Sequence, residues 1–209
     1  MSEARGAGSR RRRGAVYGAI FLFTAAEAAI HLLVPPFLVT ELHLEPAAIG
    51  AFIGVFALAS LVARVPIGLV YRPSRAPLLV GAGGLLGTAA YILVPFMTVP
   101  ALVGVLLTLD GLGWSIATTV LLAGLADSHE PGRSTASAMG WYLGFIGLGN
   151  AAAGVGGILA DLVGLRSAFL ALAVVPGLAT ILAAAALRSL PAATSPQGTD
   201  HAGAAGLPG

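Results

Sequence analysis

The sequence predicts an all-α integral membrane protein with six transmembrane helices, and three observations support that fold class. Hydrophobic residues make up 57% of the 209-residue chain, charged residues make up only 10%, and the mean hydropathy is +0.91. A soluble domain of this length could not bury so much apolar surface. The apolar residues also form six runs, each near the roughly 20 residues that a helix needs to cross a bilayer. Membrane β-strands would instead show shorter, alternating segments.

These runs divide the chain into three parts. We predict spans over about residues 15–38, 46–69, 77–97, 100–124, 135–159 and 167–187, within a membrane domain of residues 14–188. Residues 1–13 form a basic N-terminus. Residues 189–209 are rich in Pro, Gly, Ala and Ser and have little to bury, so we predict a disordered cytoplasmic tail.

The first run is predicted to be a retained span. A cleaved signal has an apolar core of about 7–15 residues, whereas this run is longer, contains Glu27 and leads into five more runs.

Arginine positions predict the orientation, since the chain contains no lysine. Only Arg166 falls on one side of the six predicted spans, and the other ten of the eleven basic residues fall on the opposite side. The positive-inside rule then places both termini in the cytoplasm of a multi-pass cell-membrane protein. The basic character therefore reflects topology and contact with anionic lipid, and we predict no nucleic-acid partner.

Polar residues within the spans are unevenly distributed. The first span contains Thr24, Glu27 and His31, and the fourth contains Asp110 and Trp114. The fifth contains Trp141, Tyr142 and Asn150, whereas the third and sixth offer only Thr88, Tyr91 and Thr180. Charges in mid-bilayer cost a few kcal/mol even on lenient scales, so such residues face a bundle interior or a watery cavity. We predict that spans one, four and five line a cavity, with three and six facing lipid or supporting them.

Glu27 and His31 are the strongest candidates for function. Four residues apart, they share a helix face, and the protonation of each affects the other. Such a pair suits a proton-coupled transporter or a site for a cationic or hydrogen-bonding solute. The structural alternative is a protonated Glu27 bonded to His31 or to a neighbouring helix. Asp110 follows the same logic, and we add Trp114 and Asn150 to the predicted substrate or proton pathway.

Other chemistries lack support in the sequence. Glu27, His31 and Asp110 could meet in space, but the sequence has no Cys and no paired-His spacing, so we predict no metal site. No cofactor is predicted, and no nucleophile in a catalytic motif indicates an enzyme. The glycine-rich GAGGLLG at 81–87 lies in an apolar span, which favours close helix packing over phosphate binding.

Several segments between and within the spans carry recognisable motifs. In RVPIGLVYRPSRAPLLVGAGG the pattern RxPxG is followed by a shortened GxxxDRxGRR, with Tyr71 in the place of the Asp and Ser74 in that of a Gly. LDGLGWSI, at 109–116, contains a GxG within the fourth span, and ADSHEPGR follows at 126–133. In the fifth span, GLGNAAAGVGG is similar to a motif that ends GPxxGG, and GGILADLVGLRSAF continues from it into the sixth span.

Together these motifs resemble those of one six-helix, N-terminal half of the major facilitator superfamily, over about residues 14–190. The resemblance implies that spans one and four line a central path, that two and five flank it, and that three and six stand outside. It also implies gating roles for the loop residues that match the motifs: Arg64, Pro66, Gly68, Arg72, Arg75, Asp161, Gly164 and Arg166.

An internal repeat agrees with this resemblance. Gly157, Asp161, Gly164 and Arg166 keep the GxxxDxxGxR spacing that the loop between spans two and three has lost. The two loops occupy equivalent places in two three-helix units, and one is predicted to be cytoplasmic and the other external. We therefore expect two inverted three-helix repeats.

The family fold has two such halves, with the solute between them. We expect this chain to form a homodimer, to pair with a separately encoded second half, or to be a truncated product. The leading prediction for function is a secondary transporter that moves a small solute by alternating access, with efflux and sugar or metabolite transport both open. The alternative is a transport-inactive membrane subunit that binds or regulates a partner.

Overall fold

The computed structural model describes residues 2–127 and 135–188, and these residues form a bundle of helices. The helices are α1 (Ser2–Thr40), α2 (Pro46–Val70), α3 (Ala76–Leu93), α4 (Pro100–Asp127), α5 (Thr135–Ala151), α6 (Gly154–Val163) and α7 (Leu165–Arg188). One 3₁₀ turn, Pro73–Arg75, leads into α3, and a second, Val94–Phe96, follows it. The predicted disordered tail at 189–209 and most of the ADSHEPGR segment lie outside the described residues.

Six segments are long and apolar enough to cross a membrane, which confirms the predicted number of spans. They are Arg13–Thr40, Pro46–Val70, Pro73–Phe96, Pro100–Asp127, Ala136–Val163 and Leu165–Arg188. The predicted bounds agree with these to within a few residues. Proline at the start of the second, third and fourth spans is favourable because a backbone N–H at the first helical position would have no acceptor within the helix.

The fifth span is made of two helices, α5 and α6. At the junction, the Ala152 amide donates to the carbonyls of both Leu148 and Gly149, and the Ala153 amide donates to Asn150. These short-range bonds tighten the backbone and interrupt the regular helix between Ala151 and Gly154. The sequence predicted one continuous span here, and the interruption falls in the glycine- and alanine-rich segment.

The helices pack in a symmetric order. α4 packs against α2 and α3, α3 packs against α7, and α7 packs against α1, which also contacts α5 and α6. In terms of spans, the order is two, four, three, six, one, five. If spans one, two and three are exchanged with spans four, five and six, the same order is obtained in reverse. Because each unit crosses the membrane three times, the second unit starts on the opposite side from the first and has the inverted orientation. The arrangement is the one expected for two inverted three-helix repeats.

Two apolar cores hold the bundle together, one towards each end. The first includes Phe37 and Phe169, whose rings meet edge to face at 5.6 Å, and the second includes Val80 and Leu121. Between these cores lies a layer of buried or partly buried polar side chains: Thr24, Glu27, His31, Thr88, Asp110 and Ser115. The fold therefore places its polar groups in the middle of the membrane-spanning bundle.

Candidate functional site

Three ionisable side chains meet within the polar layer, and we call Glu27, His31 and Asp110 the central cluster. His31 Nε2 lies 3.4 Å from Glu27 Oε1, one helical turn away on α1, and 3.4 Å from Asp110 Oδ2 on α4. One ligand-type atom from each residue lies within 4.8 Å of the others. The structure thus brings together the three residues that the sequence singled out on spans one and four.

The central cluster is close to the middle of the membrane. His31 is nine residues before the end of α1 and Asp110 is ten residues after the start of α4. At about 1.5 Å per residue these positions are about 14 and 15 Å from the helix ends, or roughly half the thickness of a bilayer core.

Burial within the cluster increases from His31 to Asp110. The side chains are 28% exposed in His31, 12% in Glu27 and 1% in Asp110. Glu27 Oε1, His31 Nε2 and both Asp110 oxygens are buried without a hydrogen-bond partner in the described part of the chain. Buried polar atoms without such partners are uncommon and call for a functional explanation.

Tyr91, on α3, also belongs to the site, although its residue type and position in the sequence did not predict this role. Its buried hydroxyl donates a hydrogen bond to Glu27 Oε2 and thereby orients the carboxylate with Oε1 towards His31. Tyr91 stood out only as one of the few polar side chains in the third span. The third span therefore supports the first, as one of the predicted alternatives has it, and it also contributes a side chain to the site.

A small cavity adjoins the central cluster. Its volume is about 10 Å³, and Glu27, Tyr91, Asp110 and Trp114 contribute to its walls. A cavity needs at least about 10–15 Å³ of this kind of space to hold one water molecule. In this conformation the cavity is the size of a water or a single ion, and an organic solute would require a larger opening.

Glycines allow the helices around the cluster to approach closely. A Cβ atom on Gly83 of α3 would lie 2.7 Å from the carbonyl oxygen of Gly113, and one on Gly113 of α4 would lie 2.5 Å from that of Gly83. This contact brings α3, which carries Tyr91, against α4, which carries Asp110. The prediction that GAGGLLG serves helix packing is confirmed.

The structure does not bring Asn150 to the central cluster. Asn150 is exposed on α5, whereas its neighbour Gly149 packs against the backbone and Thr24 of α1. Because successive helical residues point about 100° apart, packing Gly149 against α1 turns Asn150 away. The fifth span has only 11% of its most apolar window buried, and none of its described residues lines the small cavity beside the cluster, which is lined from spans one, three, four and six.

A polar contact joins neighbouring segments at each end of the bundle. Arg166, in the first turn of α7, forms an ion pair with Glu41, which follows α1, at 2.6 Å. At the opposite end, the Tyr71 hydroxyl donates to the Asp127 carboxylate of α4 at 2.7 Å. The contacts occupy equivalent places in the two repeats.

Tyr71 thus makes a contact at the position where the motif has an acidic residue. Burial, together with the adjacent Asp127 carboxylate, raises the pKa of the Tyr71 hydroxyl above its ordinary value. Tyrosine in model peptides titrates near pH 10. Tyr71 therefore remains protonated and able to donate throughout the neutral range.

The remaining predicted gating residues lie on the surface: Arg64, Pro66, Gly68, Arg72, Arg75, Asp161 and Gly164. Gly164 ends α6 with a φ of 84°, a conformation that residues with a side chain rarely adopt. Within residues 2–127 and 135–188, Arg72 and Arg75 form no ion pair.

Comparison with known proteins identifies a family. The model of the Major Facilitator Superfamily matches residues 16–207, which is most of the chain. No curated protein matches the sequence.

Proposed function

Because the chain belongs to the major facilitator superfamily, a family of transporters, we propose that it is a secondary transporter of a small solute, coupled to protons at the central cluster. The observation that carries the proposal is the meeting of Glu27, His31 and Asp110 in the middle of the spans. Ionisable residues at this depth are expensive to maintain and are characteristic of ion and proton pathways.

Protons can redistribute within the cluster over short distances. His31 lies between the carboxylates, so its imidazole can accept a proton from one side and release one to the other. Tyr91 holds the second Glu27 oxygen and limits rotation of that carboxylate. Protonated carboxyl groups are neutral and are therefore tolerated in the membrane interior, whereas ionised carboxylates there require a cation to neutralise them. A cationic solute and protons would thus compete for the same carboxylates.

Alternating access would open the site to one side of the membrane at a time. In this proposal the Glu41 to Arg166 contact and the Tyr71 to Asp127 contact stabilise opposite ends of the bundle. We place the first contact outside the cell and the second in the cytoplasm, with both termini cytoplasmic in the cell or inner membrane, because the arginines are concentrated at the second end. This orientation in the membrane is compatible with either efflux or uptake of the solute.

A second six-helix unit would complete the transport path. Spans two and five lie at the two ends of the packing order and each has only 11% of its most apolar window buried within this chain. The cavity beside the cluster is also too small for an organic solute. We propose that a second copy of the chain, or a separate six-helix half, packs against these spans and encloses a larger path, while lipid covers the remaining surface.

A solute screen with proton flux as the readout tests the transport proposal. Protein in liposomes containing a pH-sensitive dye is exposed in turn to sugars, amino acids, amphipathic cations and metal ions, and the uptake of any active solute is then measured. Glu27→Gln keeps the shape of the side chain but removes its exchangeable carboxyl proton, so we expect folded protein without proton coupling. Glu45→Gln is the matched control, since Glu45 is exposed before α2 and makes no capping bond. Full coupling in Glu27→Gln would exclude the proposed role.

The alternative is a membrane subunit without transport activity. It is favoured by the changed loop motif, in which Tyr71 replaces an acidic residue and exposed Arg72 and Arg75 have no ionic partner among the described residues. This alternative predicts that no solute moves protons and that both Glu27→Gln and the native protein behave alike.

A further inference from the structure

The spacing of donor atoms in the central cluster is that of a metal site. In tetrahedral zinc sites, nitrogen and carboxylate ligands bind at about 2.0–2.2 Å, so neighbouring ligand atoms lie about 3.3–3.6 Å apart. His31 Nε2 is 3.4 Å from Glu27 Oε1 and 3.4 Å from Asp110 Oδ2. All three ligand atoms lie within 4.8 Å of one another, so a small side-chain adjustment would bring the Glu27 and Asp110 oxygens to the distance found between neighbouring ligands.

The same atoms are the ones that lack hydrogen bonds. Asp110 is 1% exposed, and within the described residues neither of its oxygens meets strict hydrogen-bond geometry, although the Tyr91 hydroxyl interacts with this carboxyl group as well as with Glu27. Glu27 Oε1 and His31 Nε2 also lack a hydrogen-bond partner there, and the ligand atoms of the three residues lie within 4.8 Å of one another. A cation bound between these donors would satisfy one atom of each residue.

Neighbouring side chains hold the donors in place. Tyr91 bonds to the Glu27 oxygen that is not paired with His31, and Phe56 of α2 packs edge to face on the His31 ring with the ring centroids 4.1 Å apart. Hydrogen-bonded partners of this kind orient metal ligands and raise their affinity. The adjoining cavity of about 10 Å³ is near the size that one water molecule needs, and a water could supply a fourth ligand.

Charge and ligand type favour a divalent first-row transition-metal ion. Two carboxylates and a neutral imidazole carry two negative charges, which one divalent cation neutralises. Imidazole suits zinc and its neighbours, whereas Mg²⁺ and Ca²⁺ prefer sites made of oxygen ligands alone. Besides the cluster itself, Tyr91 is the titratable group that contacts it among the described residues; Phe56 approaches from α2 and Pro176 from α7.

We propose that Glu27, His31 and Asp110 bind a divalent transition-metal ion, for which Zn²⁺ is the test ion, and that this ion is the solute exchanged for protons. The exchange rests on the transport function proposed above, whereas the binding does not. With both carboxyl groups protonated, entry of one ion displaces two protons, and the occupied and the protonated sites are both neutral. Exchange of one divalent ion for two protons therefore moves no net charge.

Binding is tested with tag-free, full-length protein in nanodiscs by calorimetry with Zn²⁺, with Mg²⁺ as the competing ion. We expect Zn²⁺ to bind with release of protons, more weakly at lower pH because protons compete for the ligands. Tyr91→Phe keeps all three ligands and should weaken binding by about 10–100-fold, the range for loss of a supporting hydrogen bond. Asp110→Asn and His31→Gln each remove a ligand, so they should weaken binding more than Tyr91→Phe does.

His43→Asn and Glu45→Gln are the matched controls, because both residues are exposed between α1 and α2. They should bind Zn²⁺ as the native protein does. Absence of Zn²⁺ binding, or equal binding by the Asp110→Asn, His31→Gln and native proteins, would overturn the metal site. The Tyr91→Phe result remains informative if one of the ligand variants does not fold.

Transport in liposomes then separates this inference from the broader proposal. Zn²⁺ uptake that moves protons outwards, and that is lost in Asp110→Asn, supports both. Proton-coupled movement of another solute, with no Zn²⁺ binding, overturns the metal inference and leaves the transport function standing. Zn²⁺ binding with no proton-linked movement of any solute overturns both the exchange and the transport function, while the binding site stands.

Discussion

At the residue scale, the central cluster combines two acidic groups with one histidine and no arginine or lysine. Neither carboxylate has a permanent positive partner, and Asp110 is 1% exposed. A buried charge without such a partner destabilises a fold unless a proton or a cation neutralises it. The stability of the bundle therefore depends on whether protons or cations occupy the cluster and neutralise its carboxylates.

This requirement leads to a prediction for Asp110→Asn. The substitution replaces a buried ionisable carboxyl group with a neutral amide of nearly the same volume, so we expect stability to be unchanged or higher wherever the native carboxyl group is ionised, because an isolated buried charge is costly. Proton coupling should be lost at the same time. Thermal unfolding in nanodiscs measures the first effect. A clear loss of stability would indicate that the Asp110 carboxylate is a structural partner in the fold.

At the element scale, close helix contacts determine which side chains reach the cluster. Gly83 and Gly113 bring α3 and α4 together, and Gly149 brings α5 against α1. Glu27, His31 and Asp110 could be selected from the sequence because a charge within an apolar run is conspicuous. The role of Tyr91 could not be predicted, because a tyrosine in a span is equally compatible with simple packing. The position of Asn150 could not be predicted either, because the face of α5 that contacts α1 is determined by the packing of Gly149.

A pair of glycine variants in α3 tests the role of these contacts. In Gly83→Ala the new methyl group would lie 2.7 Å from a backbone oxygen of α4, whereas in Gly81→Ala it would meet nothing within 4 Å. We expect Gly83→Ala to destabilise the protein by about 1–3 kcal/mol through overpacking. Gly81→Ala should be neutral or gain about 0.5–1 kcal/mol from the better helix former. Equal thermal stability of the two variants would contradict the close contact.

At the scale of the whole molecule, hydrophobic runs were sufficient to predict six spans because each run approaches the length of a bilayer crossing. The resemblance implied which spans line the path, which flank it and which stand outside, whereas the short turn between α5 and α6 was not anticipated. Spans two and five remain the least covered part of the chain. What packs against them depends on a partner that sequence composition does not identify.

Native mass spectrometry of the protein released from nanodiscs tests the expected second unit. We expect twice the mass of the chain, or the chain together with another six-helix protein. Cysteines introduced on spans two and five should then form disulfides between units, since the native chain has no cysteine. A monomer that nonetheless transports solute would show that six helices suffice and would remove the need for a second unit.

The most direct test of the central claim is infrared difference spectroscopy of carboxyl protonation in lipid, from about pH 5 to about pH 8, the range in which histidine titrates. If the central cluster exchanges protons, the carboxyl signal of the native protein changes across this range. Glu27→Gln and Asp110→Asn should each remove part of that change, and Glu45→Gln should leave the part due to the cluster intact. A signal from Glu27 and Asp110 that stays constant with pH would contradict proton exchange at the cluster.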